Sequence, residues 1–193
     1  MLLSVKGSLL LIDDDSANLG LLEGMLKKFS DIRISSESNS AKALELVKSK
    51  EFDVIVTDIV MPSPDGLEIL RQSKQVWPDT EVIMLSGNMT TDRALESLKL
   101  HAFDFIPKPT EPEKFRSTVV HALERRQLVQ DNKRMAIELH EYNLALQGKV
   151  EEATRELQEK VHELEVYSKN YRAILDHMPS GCLILDKDKK VFQ

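Results

Sequence analysis

Five polar residues of this chain stand at the ends of short apolar runs, with types and spacing that could do chemistry. Asp13 and Asp14 follow Leu9–Ile12, Asp58 follows Val54–Val56, Ser86 follows Leu85, and Lys108 follows Phe105 and Ile106. Three carboxylates gathered in one crevice repel one another, and two close carboxylates already push one pKa up strongly. A divalent cation relieves that repulsion, and all-oxygen ligation suits Mg²⁺. Because Mg²⁺ keeps several waters and takes few carboxylates, such a site suits a phosphoryl group better than a stored structural ion. A lysine would neutralise phosphate charge and a serine hydroxyl would donate a hydrogen bond, the positioning and charge stabilisation that phosphoryl transfer requires. A carboxylate can itself be the nucleophile and give an aspartyl phosphate. Taken alone, Asp58 stays open among three readings: nucleophile, metal ligand, or cap of the turn that holds Pro62, Pro64 and Gly66.

These residues converge only if the chain between them folds suitably. Ser8–Ile12, Asp31–Ser35, Val54–Val56, Glu81–Leu85 and Phe103–Ile106 read as short strands. Between them, apolar residues recur at helical spacing: Leu19, Leu22, Leu26 and Phe29; Ala43, Leu44 and Val47; Leu67, Leu70, Val76 and Trp77; and Leu95, Leu98 and Leu100. Ser16 is the expected cap of the first helix, Asn39 or Ser40 of the second, and Pro78 closes the third. Asp15 reads as a residue that opens a helix and Asp65 as one that shapes a loop. Strands alternating with helices predict an α/β fold, a doubly wound five-stranded parallel sheet covered on both faces. The order 2-1-3-4-5, flavodoxin-like, sets strands one and three side by side at the switch point, where Asp13, Asp14 and Asp58 would meet.

After Lys108 the texture changes. Thr110-Glu-Pro-Glu113 predicts a capping box with Pro112 in the first turn. From there to about Met178 there is no proline, and the only glycine is Gly148. Leu128, Asn132, Met135, Leu139, Tyr142 and Leu146 step by four and three; Val150, Ala153, Leu157, Leu164, Tyr171 and Ile174 continue after a four-residue slip that reads as a stutter. One helix of about 65 residues would be on the order of 100 Å long, too long to bury this stripe on a small domain. A parallel, dimeric coiled coil is the expected arrangement, with Asn132 fixing register and Lys160 weakening the seam. Met178-Pro-Ser-Gly181 ends the helix. Leu183–Leu185, a turn at Asp186–Lys189, and Val191-Phe192 then read as a hairpin too small to stand alone, so a further domain is expected downstream.

Composition excludes several classes. The chain has 193 residues, 41% hydrophobic and 30% charged, with a net charge of −6 that argues against a nucleic-acid surface. One cysteine, Cys182, permits neither a disulfide framework nor a cysteine metal cluster, and a reducing, cytoplasmic setting is expected. No apolar run reaches membrane length. His140, in Leu139-His-Glu-Tyr, reads as a solvated helix residue, since nothing around it builds a kinase histidine box.

Asp13-Asp14 after a strand, Asp58-x-x-Met61-Pro62-x-x-Asp65-Gly66, Ser86-Gly87 and Phe105-x-x-Lys108-Pro109 together resemble the receiver domain of bacterial response regulators. The resemblance covers residues 7–125. It implies that Asp58 is the phosphoacceptor, fed by the phosphohistidine of a histidine kinase or phosphotransfer protein. It implies that Asp13, Asp14, Asp58 and the backbone carbonyl of Val60 hold Mg²⁺. Ser86 would hydrogen-bond the phosphoryl group, Lys108 would ion-pair with it, Phe105 would be an aromatic switch, and Lys108–Pro109 would be cis. Phenylalanine in place of tyrosine at 105 leaves no hydroxyl there to follow the serine.

Tyr171-x-x-Ile174-Leu-x-x-Met178-Pro-x-Gly181, before Leu183–Asp186, resembles the opening of a PAS domain. The expected organisation is therefore a receiver at 7–125, a coiled-coil signalling helix at 126–177, and the start of a PAS-like domain at 178–193. No kinase or cyclase domain stands in the chain; the PAS resemblance implies a sensor module downstream and leaves a kinase or cyclase output beyond it open. The expected function is phosphorelay signalling, with phosphorylation passed through a dimeric helix to a downstream module. The alternatives are a dimeric docking scaffold that is never phosphorylated, and a DNA-binding regulator, for which no helix-turn-helix or basic patch is found.

Overall fold

A computed structural model describes residues 6–87 and 99–176. Its strands are β1 (Gly7–Ile12), β2 (Ile32–Glu37), β3 (Val54–Asp58), β4 (Glu81–Ser86) and β5 (Asp104–Pro107). They form one parallel sheet in the order β2-β1-β3-β4-β5, as the alternation of elements predicts. The helices are α1 (Ser16–Leu26), α2 (Ser40–Ser49), α3 (Gly66–Val76) and α4 (Pro112–Asp176). The expected helix at Leu95 and Leu98 lies outside the described residues, as do Cys182 and the expected hairpin from Leu183 to Phe192.

Successive side chains of a strand point to opposite faces, and two cores result. Leu9, Leu11, Val54, Val56, Ile83 and Leu85 pack with Leu19, Leu22 and Leu26 of α1 and Phe115, Val119, Ala122 and Leu123 of α4. Leu10, Ile12, Ile55, Val82 and Met84 pack with Ala43 and Val47 of α2 and Leu67, Ile69 and Leu70 of α3. Val76, expected on the buried stripe of α3, is instead exposed, and the buried face ends at Ser73. Every residue of β3 is buried, because both faces are covered.

Caps fix where the helices begin. Asp15, not Ser16, caps α1: its carboxylate accepts from the Ala17 N–H, which places Ser16 inside the first turn. A carboxylate there also suits the positive end of the helix dipole. Asn39 caps α2 through Lys42 N–H, and Asp65 caps α3 through Glu68 N–H. At α4 the Glu111 carbonyl accepts the first helical bond, from Phe115 N–H, so Pro112 is the first helical residue and the start falls one residue later than a Thr110 box requires.

By its internal contacts the chain divides into two units, Met1–Arg134 and Met135–Gln193. In the second, Met135, Leu139, Tyr142, Leu146, Val150, Leu157, Leu164, Tyr171 and Ile174 are exposed apolar residues of α4. Gly148 lies within the helix without interrupting it. Among the described residues, no helix is long and apolar enough to cross a membrane.

Candidate functional site

The strand register sets the C-terminal ends level. Ile12 lies beside Thr57, Asp58 beside Leu85, and Ser86 beside Pro107. Whatever follows each strand therefore emerges at the same sheet edge, the one where open α/β sheets bind ligands. Asp13 is fully buried there, Asp58 is 7% exposed, and Asp14 is exposed. Carboxylate oxygens of the three lie within 4.8 Å of one another. The structure thus brings the expected acidic residues together.

Lys108 enters the same pocket from the end of β5. Its Nζ is 2.6 Å from Asp13 Oδ2 and 2.6 Å from Asp58 Oδ2. The backbone positions it: Lys108 N–H donates to the Ser86 carbonyl at 2.7 Å, and the peptide to Pro109 is cis. Burial works against the charge on Lys108, but the hydrogen bonds to Asp13 and Asp58 and their negative charge outweigh it. The ammonium is held above the usual lysine range. The remaining carboxylate oxygens are also engaged. Asp13 Oδ1 accepts from Asp15 N–H at 3.0 Å, and Asp58 Oδ1 accepts from Val60 N–H at 3.1 Å.

Ser86 is 3% exposed at the end of β4, and Val60, on the loop after β3, is exposed. Phe105 is half-buried on β5, beside Met84, and packs on the core that faces α2 and α3. Next to Asp13 and Lys108 is a cavity of about 160 Å³, walled by Leu21, Leu22, Met25 and Pro109.

Gly66 has a structural role that the sequence reading does not assign. The loop after Asp58 doubles back, with Gly66 N–H donating to the Ile59 carbonyl at 3.2 Å. A β-carbon at 66 would sit 2.0 Å from the Asp58 carbonyl oxygen. The Asp65-Gly66 pair signals a turn, but contact with the backbone of β3 depends on the loop's path. A second group also escapes notice: Asp53, whose Oδ2 accepts from both the N–H and the hydroxyl of Ser8 at 2.8 Å.

The comparisons agree with this geometry. Residues 9–120 match the family described as the response regulator receiver domain. The chain is 34% identical over 118 residues to the DNA-binding transcriptional regulator NtrC of Escherichia coli K12, covering 61% of this chain and 25% of that protein. It is 33% identical over 115 residues to the transcriptional regulatory protein ZraR of Klebsiella oxytoca, covering 60% and 26%. The chain thus spans about a quarter of the length of these curated relatives. A crystal structure of a response regulator receiver domain protein from Clostridium thermocellum superimposes with a TM-score of 0.59 at 29% identity, covering 63% of this chain and 98% of that one.

Proposed function

The chain belongs to the response regulator receiver domain family, and from that premise we propose that it is the phosphoacceptor of a phosphorelay, with Asp58 as the accepting residue. The observation that carries this reading is the single ammonium of Lys108 set 2.6 Å from both Asp13 and Asp58. Asp58 Oδ2 attacks the phosphorus of a phosphohistidine. The O–P bond forms as the P–N bond breaks, and the electron pair returns to the imidazole of the donor. Lys108 then has a phosphoryl oxygen to pair with in place of the carboxylate, and Ser86 donates its hydroxyl to another. The donor is a histidine kinase or phosphotransfer protein. The apolar cavity beside Lys108, together with exposed Leu21, gives such a partner a surface next to the acceptor.

Asp13, Asp14 and Asp58, with the backbone carbonyl of Val60, fit Mg²⁺: the donors are hard oxygens, and the three carboxylates already stand close enough to share an ion. When bound, the ion would offset the charge of the phosphoryl oxygens. Ser86 drawn toward the phosphoryl group repacks half-buried Phe105, a local charge event that biases a two-state element.

The rest of the reading concerns transmission. A receiver at 7–125 hands the change to a signalling helix at 126–177, which pairs in parallel with a second copy through the stripe Met135–Ile174. A PAS-like domain opens at 178. The setting is cytoplasmic. The two relatives are named as transcriptional regulators, but the net charge of −6 argues against a nucleic-acid surface, and DNA binding is not proposed for this chain.

Acetyl phosphate with Mg²⁺ is expected to add one phosphoryl group to the wild type and none to Asp58→Ala, read by intact mass. Labelling that persists in Asp58→Ala would overturn the assignment. Absence of Mg²⁺ binding in a titration would favour the unphosphorylated docking scaffold.

A further inference from the structure

The buried face of α4 ends on an unexpected residue. Phe115, Thr118, Val119, Ala122 and Leu123 form its inward stripe, and the next inward position is Arg126, only 3% exposed. It is the last buried residue of α4, in a place where the stripe calls for leucine or valine. A helix that follows a parallel strand runs back against the sheet, so Arg126 sits at the edge opposite the acidic pocket, about 21 Å along the axis from Pro112.

Carboxylates from two separate loops converge on it there. Arg126 Nη2 hydrogen-bonds Glu51, while Asp53 Oδ1, 3.5 Å from Nε, and Asp79 Oδ2, 3.3 Å from Nη1, pair with it by charge, Nη1 making no hydrogen bond. Glu51 and Asp53 precede β3, and Asp79 precedes β4. Neighbouring residues of α4 repeat the pattern: Lys133 pairs with Asp79, and Arg125 Nε lies 3.1 Å from Glu81 Oε1. Gly7 lies beside this cluster: a β-carbon there would meet the tip of the Leu123 side chain, Cδ2, at 2.6 Å.

An apolar stripe alone tolerates small rotations, since methyl groups repack on any smooth surface. A buried guanidinium tolerates them less, since it is held by one directed bond to Glu51 and by the charge of two further carboxylates. Turning α4 by even a fraction of a residue would leave Arg126 buried against carboxylates it no longer faces. From this we infer that Arg126 is a positioning residue that sets the rotational phase of α4 just before the second unit begins. A change begun at Asp58 reaches residues beyond 126 only through a helix held at that point. The inference rests on the transmission reading above and adds the residue on which transmission depends.

Amide hydrogen exchange of the full chain, with and without beryllofluoride and Mg²⁺, tests it. In the wild type, exchange over residues 127–146 is expected to change several-fold on adding the phosphoryl mimic. Arg126→Met keeps the length and removes the fork. It is expected to bind beryllofluoride within about twofold of the wild type and to lose the change beyond residue 126, with Arg126→Lys restoring part of it. A merely structural role would speed exchange in both states and leave their difference intact, and that result overturns the inference. If Arg126→Met does not fold, Glu51→Gln, which removes one arm, decides: a reduced difference supports the inference and an undiminished one overturns it. A wild type that binds beryllofluoride with no change beyond 126 would overturn both transmission and this inference, while leaving Asp58 as acceptor intact.

Discussion

Gly66 and Asp58 touch through their backbones: a β-carbon on Gly66 would lie 2.0 Å from the Asp58 carbonyl oxygen and 2.9 Å from Ile59 Cα. Asp58 and the loop that carries Val60 are thus held by the lack of a side chain eight residues after Asp58. Backbone cannot yield as a flexible side chain can, so Gly66→Ala must push the loop outward. The expected cost is about 1–3 kcal/mol, in the range of overpacking, together with weaker Mg²⁺ binding. Urea unfolding and a Mg²⁺ titration measure the two effects.

Lys108 pairs with two of the three carboxylates proposed to hold a divalent ion. Removing the ammonium in Lys108→Met leaves fully buried Asp13 without its ion-pair partner. Breaking such a pair costs about 3 kcal/mol or more. Mg²⁺ is expected to recover more stability in this variant than in the wild type, since binding to the folded state alone stabilises by mass action. Equal gains in melting temperature for both proteins would show that lysine and metal do not share those carboxylates.

Asp79 predicts an acid limb. The Lys133 hydrogen bond, followed by the charges of Lys133 and Arg126, holds its carboxyl below the usual aspartate range despite some burial. Its folded pKa is thus lower than its unfolded one, about 3.9. The stability it contributes is present above that unfolded value and lost as pH falls through the lowered folded value. Asp79→Asn is expected to be less stable near neutrality and to lose less stability on acidification, as urea unfolding across pH 2–5 would show (a window of roughly two units around the reference value).

The exposed stripe of α4 makes a prediction about mass. Leu157 is 64% exposed in the single chain, and a carboxylate there would lie unpaired in a dimer seam. Leu157→Asp is expected to weaken association by at least about tenfold, or 1.4 kcal/mol, shifting the light-scattering mass from two chains toward one. Wild-type protein that scatters as one chain would remove the coiled coil from the reading.

The first helix offers a smaller test. Asp15→Ala should cost about 1 kcal/mol, the usual worth of a capping side chain, while Ser16→Ala, one residue into the helix, should change stability by only a few tenths. Thermal unfolding of the two variants distinguishes them.

Much of this protein was legible in one dimension because its signals are local. Short runs with apolar residues, β-branched in Val54–Val56, gave the five strands. Their spacing gave a parallel sheet, and the right-handedness of crossovers left few topologies, the expected and observed order β2-β1-β3-β4-β5 among them. Asp13, Asp14, Asp58 and Lys108 fall in one pocket from the sequence alone, since each follows or ends a strand. Caps were less legible: Asp15 and Ser16 are both good capping residues, and only the path of the chain decides which carboxylate or hydroxyl reaches the free N–H.

What tertiary structure alone decided are contacts between residues far apart in sequence. That Lys108 reaches Asp13 and Asp58 with one ammonium depends on strand register and on the backbone bond from Lys108 to Ser86. That Gly66 must be glycine depends on a loop folding back on β3. Arg126 reads in the sequence as one more charge on a polar helix. It becomes a buried cation, bonded to Glu51 and paired by charge with Asp53 and Asp79, only once two loops bring their carboxylates to it. Patterning fixes which side chains face inward, because burial follows the period of the element. Which polar groups meet inside follows from three-dimensional proximity, which the period does not encode.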